Sequence, residues 1–259
     1  MEVDRFRVAG IDARVYNDKI KLGEAAAEHV ANCIQDAIRE REQARVIFAT
    51  GASQYEFLAA LVGKKDSLDW SRVTAFHLDE YLGLPEDHPA SFRRYLRERL
   101  FDRLPFGAVH LLDGTAPDPQ AEADRYSALL AEGPVDLACI GIGENGHLAF
   151  NDPPADFETS ALVHIVTLDE ACRQQQVGEG HFATFADVPT QALSLSIPAI
   201  LRAKRISCVV PDRRKAAAVL CALEGPITPD CPASALRQHG HTLLFLDRES
   251  ASNLPRYRK

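Results

Sequence analysis

Four short clusters in the sequence carry side chains suited to moving protons or gripping an anion. The first is Thr50-Gly51-Ala52-Ser53, lying between an apolar run and a helical pattern. Small residues let the backbone approach an anion, and the first N–H groups of a helix face it unpaired. Ser53 reads equally well as a helix N-cap or as a hydroxyl donor to phosphate. The second is His77-Leu78-Asp79-Glu80-Tyr81. An acid at a strand end can serve as general base for a proton α to a carbonyl or imine; it can also cap a helix or sit in a solvated turn. The third runs Gly141-Ile142-Gly143-Glu144-Asn145-Gly146-His147 and on to Asn151-Asp152. Its glycines permit a tight backbone path. That path brings His147 within reach of a substrate, with Asp152 near enough to orient its imidazole. Histidine suits proton transfer between a hydroxyl and a ring oxygen near neutral pH, although a glycine-rich turn around a satisfied histidine has the same appearance. The fourth is Lys215, at the start of a helical pattern, where a cation opposes the helix dipole and gains nothing unless an anion joins it. Arg213 and Arg214 are neighbours able to do the same work.

These clusters need elements to hold them. Short β-rich runs fall at Arg45 to Thr50, Val73 to Leu78, Val135 to Ile142, Ile165 to Leu168, Arg205 to Val210 and Thr242 to Leu246. Near-continuous apolar runs of that length suit strands covered on both faces, as in a parallel sheet. Helical patterns fall at Ile20 to Arg41, Ser53 to Leu61, Ala90 to Leu100, Gln120 to Leu130 and Arg213 to Leu223. Alternation of this kind predicts a doubly wound α/β fold, in which ligands bind outside the carboxyl ends of the strands. All four clusters sit at such ends. With no linker, repeat or low-complexity tract, residues 1–259 read as one domain, and 153–189, the least sheet-like stretch, reads as a lid over the site.

Bulk properties narrow the function. A net charge of −8, with no basic run longer than the short tail from Arg256, argues against a nucleic-acid partner. A small anionic substrate is compatible with it, since a local pocket of donors overrides an acidic surface. No stretch approaches the roughly 20 apolar residues of a membrane span, and Met1 to Gly10 lacks the apolar centre of a signal peptide. The six cysteines have no regular spacing and no C-x-x-C pair, so a disulfide framework is not expected. The expectation is a cytoplasmic enzyme without partners in nucleic acid or membrane; a homo-oligomer is left open.

Taken together, the segments resemble the glucosamine-6-phosphate deaminase family, which has 6-phosphogluconolactonase-like relatives. The resemblance rests on Thr50-Gly51-Ala52-Ser53, Asp79-Glu80-Tyr81-Leu82-Gly83-Leu84-Pro85, Gly143-Glu144-Asn145-Gly146-His147-Leu148-Ala149-Phe150-Asn151, Val188-Pro189-Thr190-Gln191-Ala192 and Lys215, in that order. It implies a Rossmann-like three-layer α/β/α sandwich with a mostly parallel sheet. It also implies conversion of an amino-sugar phosphate to a keto-sugar phosphate and ammonia, with no redox cofactor and no metal. By the same resemblance, Asp79 is the base that moves a proton between C2 and C1, and His147 opens the sugar ring with Asn145 and Asp152 beside it. Thr50, Gly51, Ala52, Ser53 and Lys215 hold phosphate, and Glu80 and Gly143 complete the substrate-binding set. Three departures stand out. Asp152 occupies a position where the family commonly has Glu, Ala52 one where Gly is common, and the stretch from Cys172 to Phe182 is about two residues longer than usual and lacks a clear counterpart of the family's lid arginine. His181, or Arg173 after it, is the expected substitute. A lactonase and a non-catalytic sugar-phosphate sensor are the alternatives to a deaminase.

Overall fold

The computed structural model describes residues 1–178, 180 and 182–258. A hairpin, β1 (Glu2–Val8) and β2 (Ile11–Tyr16), leads into α1 (Lys19–Arg41), β3 (Ala44–Phe48) and α2 (Tyr55–Val62). Next come β4 (Val73–His77), β5 (Asp79–Tyr81), α3 (Phe92–Leu96), β6 (Ala108–His110), α4 (Pro119–Ala131) and β7 (Leu137–Ile140). The order closes with β8 (Val163–Thr167), α5 (Glu170–Gly178), β9 (Gln191–Leu195), α6 (Ile197–Leu201), β10 (Arg205–Val210), α7 (Ala216–Glu224) and β11 (Thr242–Asp247).

Eight strands form one sheet in the order β1-β2-β11-β10-β7-β3-β4-β6, parallel throughout except for the β1–β2 pair. Its central strands alternate between two apolar layers. Ile47, Ala138, Ile140, Cys208 and Leu244 pack with α4, α6 and α7, whereas Val46, Phe48, Cys139, Val209 and Phe245 pack with α1 and α2. Burial on both faces is why these strands read as unbroken apolar runs. On α1, Ala26, Ala27, Val30, Ile34 and Ala37 keep to one buried stripe, and the Asp18 side chain caps its start by accepting from the Lys21 N–H at 2.9 Å. The fold is therefore the mostly parallel α/β/α sandwich that the sequence predicts.

The lesser elements depart from the expectation. The run at 165–168 is a strand, but one that pairs antiparallel with β9 in a second, three-stranded sheet of order β5-β9-β8. Asp79-Glu80-Tyr81 is the edge of that same sheet, continuing β4 into a different layer. The segment 153–189, expected to be a lid and the least sheet-like stretch, contains β8 and α5, so it is partly sheet and partly helix. It is seated on an aromatic cluster, with Phe182 edge-on to Tyr81 at 5.4 Å and Phe92 stacked on Phe150 at 5.5 Å. Among the described residues, no helix is long and apolar enough to cross a membrane. Chain order carries β4 and β6 to one side of β3 and returns β7 to the other, so strand order reverses between β3 and β7.

Candidate active site

Loops leaving β3, β4, β7 and β10 meet at that reversal around a cleft. Thr50, Gly51, Ala52, Ser53, Asp79, Gly143, His147 and Lys215 all line it. The strand-end rule thus brings eight of the expected residues, from four distant segments, to one place.

The two adjacent acids part company. Side chains alternate across a strand, so Asp79 faces the cleft and Glu80 faces the other way. Asp79 is buried and its Oδ1 has no hydrogen-bond partner. Burial, with a smaller contribution from the Glu80 charge, holds its carboxyl well above the ordinary range. Such a group takes up a proton readily, as a base for carbon acids must. Glu80 is fully buried and does not reach the cleft, which corrects its expected place among the substrate ligands. Its carboxylate accepts from the Ser91 hydroxyl at 3.0 Å and from the N–H groups of Phe92 and Arg93 at 3.2 and 2.8 Å. The Arg93 guanidinium lies 3.4 Å away. Glu80 therefore caps the first turn of α3, where a negative charge is favoured. Of the two readings open to this acidic pair, helix capping holds for Glu80.

The loop after β7 is wired differently. The Asn145 side chain accepts from the His147 N–H at 3.0 Å and donates to Asp152 Oδ1 at 3.0 Å. His147 Nδ1 lies 3.1 Å from the same oxygen, although its N–H is angled away from the line between them. Asp152 Oδ2 accepts from the Asp169 N–H at 3.2 Å. Burial works to raise the Asp152 carboxyl, but the contacts from His147, Asn145 and the Asp169 N–H together bring it below its ordinary value. Gly143 serves this arrangement by being small, since a Cβ there would lie 2.2 Å from the His147 ring. Asn151 anchors the loop from behind, donating to the Leu148 and Leu195 carbonyls at 2.7 and 2.8 Å. Its Oδ1 meets His164 Nε2 at 2.9 Å. Nothing in the sequence pattern marked Asn151 as an anchor, because its distant partners, His164 and Leu195, lie on β8 and β9.

On the anion side, Gly51 has φ +98, a conformation glycine adopts without strain, and begins the short turn Ala52–Gln54. The Ser53 side chain does not cap this turn and instead accepts from Gln54 Nε2 at 3.0 Å. Opposite it, Asp212 holds φ +78, rare for a residue with a side chain, while its N–H donates to Asp247 Oδ2 at 3.1 Å. This kinked exit from β10 delivers Arg214 and Lys215 to the cleft. Arg213 points elsewhere, toward Ser252 and Glu249. Arg214, which spacing alone left as an equal alternative to Lys215, is therefore a second cation at the site; it also pairs with Glu144 at 3.1 Å.

Helix α5 presents Gln175 and Gln176 to the cleft, and the Glu144 N–H donates to Gln175 Oε1 at 3.2 Å. Neither glutamine was expected there, because α5 itself was not. Arg173 does not reach the cleft. Its guanidinium donates to the Phe185 and Val188 carbonyls at 2.9 and 3.0 Å and stacks on the Phe185 ring. It ties α5 to the following turn and is no substitute for a lid arginine. His181 lies outside the described residues. Among the described residues, one set of side chains is spaced to hold a metal ion: His147, Asp152 and Cys172, whose donor atoms lie within 4.8 Å of one another.

A small-residue loop at a topological switch point, a desolvated acid and a histidine beside an acid are the parts that an enzyme needs for proton transfer on a small anionic substrate. The profile for glucosamine-6-phosphate isomerases/6-phosphogluconolactonase matches residues 17–245, and the chain belongs to that family. A glucosamine-6-phosphate deaminase of Exiguobacterium sibiricum is 39% identical over 233 residues, covering 88% of this chain and 90% of its own. One from Bacillus cereus is 37% identical over 233 residues, covering 90% and 87%. Among solved structures, a monomeric glucosamine-6-phosphate deaminase superposes with a TM-score of 0.86 at 34% identity, covering 93% of this chain and 99% of its own. A 6-phosphogluconolactonase from Trypanosoma brucei gives 0.77 at 21% identity, covering 93% and 98%, a likeness of fold alone.

Proposed function

We propose that this chain is a glucosamine-6-phosphate deaminase, converting glucosamine 6-phosphate and water to fructose 6-phosphate and ammonia. One observation carries the reading: a buried acid with an unpartnered oxygen, Asp79, shares a cleft with His147 and with the Gly51–Lys215 anion grip. In this reading the phosphate rests on Thr50, Gly51, Ala52 and Ser53, with Lys215 and Arg214 supplying charge. His147 takes the proton from the anomeric hydroxyl and returns it to the ring oxygen, opening the ring, while Asp152 faces the imidazole and Asn145 holds the His147 backbone N–H and Asp152. Asp79 then removes the C2 proton and delivers it to C1. The resulting ketose imine takes up water and releases ammonia. Anchoring phosphate far from C1 and C2 lets binding energy hold the open chain against Asp79.

We treat residues 1–259 as one catalytic unit with 153–189 as its cover, acting in the cytoplasm on a small amino-sugar phosphate and not on nucleic acid or membrane. A homo-oligomer is compatible with this reading, since the assigned groups of one chain share one cleft. The deciding assay is ammonia release from a panel of amino-sugar phosphates, with the unphosphorylated sugars as controls. Ammonia from glucosamine 6-phosphate, and much less from glucosamine, is expected. Acid formation from a sugar lactone without ammonia would replace this reading with a lactonase, and binding without turnover would replace it with a sensor.

A further inference from the structure

Cys172 has no part in the proposed reaction, yet it lies beside the residues that hold its ring-opening histidine. It sits on α5, is 1% exposed, and packs in the small apolar cluster with Tyr81, Phe150 and Phe182. Its own N–H donates to Asp169 Oδ1 at 2.5 Å, and the Asp169 N–H donates to Asp152 Oδ2 at 3.2 Å. The first turn of α5 is thereby fixed against the Asp152 carboxylate, and the thiol is delivered to the His147–Asp152 pair. A ring nitrogen of His147, an oxygen of Asp152 and Sγ of Cys172 all fall within 4.8 Å of one another.

We propose that His147, Asp152 and Cys172 form an inhibitory site for a thiophilic divalent cation of the Zn²⁺ type. Imidazole, carboxylate and thiolate are the three ligand types zinc takes in proteins, and three protein ligands leave the fourth tetrahedral position to water. Thiolate selects zinc over Mg²⁺ and Ca²⁺, which prefer all-oxygen cages. With Zn–S near 2.3 Å and Zn–N near 2.0 Å, donor atoms in a tetrahedral site stand roughly 3.5 Å apart. The widest edge of this set therefore contracts by about 1 Å on binding, within reach of side-chain rotation. On binding, Cys172 forms a bond from sulfur to the metal and its proton leaves to solvent. The two negative ligands then offset the two charges of the ion, so the occupied site ends neutral, where the Asp152 carboxylate alone leaves it at one negative charge. Bound metal occupies the His147 lone pair needed for ring opening and ties α5 to the catalytic loop, so turnover stops.

The inhibition arm of the test rests on the deaminase reading; a spectroscopic arm does not. Chelator-stripped wild-type protein is titrated with Zn²⁺ while ammonia release is followed, with Mg²⁺ as control. Inhibition by Zn²⁺ alone, reversed by EDTA, is expected. Cys172→Ala should keep its metal-free activity within a few-fold and need at least about 10-fold more Zn²⁺ for the same inhibition. Cys172→Ser replaces it if the alanine variant does not fold. Separately, Co²⁺ added to the wild type should give a thiolate-to-cobalt charge-transfer band that Cys172→Ala loses while keeping its other cysteines. An unchanged band or unchanged Zn²⁺ sensitivity in the variant overturns the site, as does a wild type with neither inhibition nor band. A band that depends on Cys172 in a chain releasing no ammonia would leave the metal site standing and remove the deaminase.

Discussion

The cleft has two walls, and they treat a carboxylate in opposite ways. On the β4–β5 wall, Asp79 is stripped of water, left with an unpartnered oxygen, and raised. On the wall after β7, the Asp152 side chain is only 6% exposed, but it meets His147, Asn145 and the Asp169 N–H and is lowered. Loss of water acts on both, more fully on Asp79, and only Asp152 has donors set against it. One acid is thereby prepared to accept a proton, and the other to stay charged and steady a neighbour. Residue type alone does not assign such roles, since both are aspartates at strand-end loops.

The largest expected effect comes from removing the bare acid. Asp79→Asn should lower kcat by about 100- to 10,000-fold, the usual cost of losing a positioned base, with KM little changed. Its stability should move the other way. A carboxyl raised in the folded state binds its proton more tightly there than in the unfolded chain, so ionisation works against folding. The variant should therefore melt higher than wild type at neutral pH. That gain should fade as pH falls toward the ordinary aspartate value of about 3.9. For wild type, the acid limb of kcat/KM should lie above that same value and be absent from whatever activity the variant retains. Turnover near wild type in Asp79→Asn would erase the contrast between the walls.

The loops after β3 and β10 supply the proposed anion grip, and there the effect is smaller. Lys215→Ala should raise KM for the phosphorylated sugar by roughly 10- to 100-fold, from the loss of a charge-assisted hydrogen bond worth about 1.5–3 kcal/mol. Unphosphorylated glucosamine should lose far less, and an equal loss for both sugars would assign Lys215 to structure. Arg214 keeps a charge at the rim, which tempers the loss.

How far the sequence carries this picture depends on which sheet a residue belongs to. The parallel core was legible because β3, β7, β10 and β11 are apolar on both faces, and because every polar cluster followed a strand end. The second sheet was not. Its strand β5 is three residues long and charged, and β8 and β9 are joined only through a long connection, so local pattern gives no hint of their pairing. The position of α5 and the aim of Arg214 depend on that sheet and on the Asp212 kink, which no spacing rule displays. Family resemblance reached His147 and Asp152, whereas the tie from Asp152 to α5 through Asp169 emerged only with the backbone in place.

Asp152→Asn tests the second half of the contrast. Its carboxyl is lowered in the folded state, so its stabilising contribution is present above the ordinary aspartate value and lost as pH falls through the lower folded one. The asparagine variant should thus melt lower than wild type at neutral pH, the reverse of Asp79→Asn. Catalysis should fall about tenfold, because His147 keeps its place through Asn145 but loses its charged neighbour. Equal signs in the two melting experiments would show that burial, not donor count, governs both acids.

The smallest effect on catalysis should come from the acid nearest to the base in sequence. Glu80 stands on the same wall as Asp79 but faces away, with Ser91, Phe92 N–H, Arg93 N–H and the Arg93 side chain around it. Glu80→Gln keeps the shape and one carbonyl oxygen but replaces an accepting oxygen with an NH₂ group, turning a donor toward donors. Leaving those buried groups unsatisfied costs about 1–3 kcal/mol, and the Arg93 guanidinium keeps only its contacts to Asp113 and the Leu84 carbonyl. The variant should therefore melt several degrees lower, while kcat/KM at a temperature where it is folded stays within a few-fold of wild type. One catalytic consequence is expected, and its direction is set. The Glu80 charge adds to burial in raising Asp79, so neutralising it should move the acid limb of the kcat/KM profile to lower pH. A limb that stays put would assign the state of Asp79 to burial alone, and a drop in kcat matching that of Asp79→Asn would return Glu80 to the cleft.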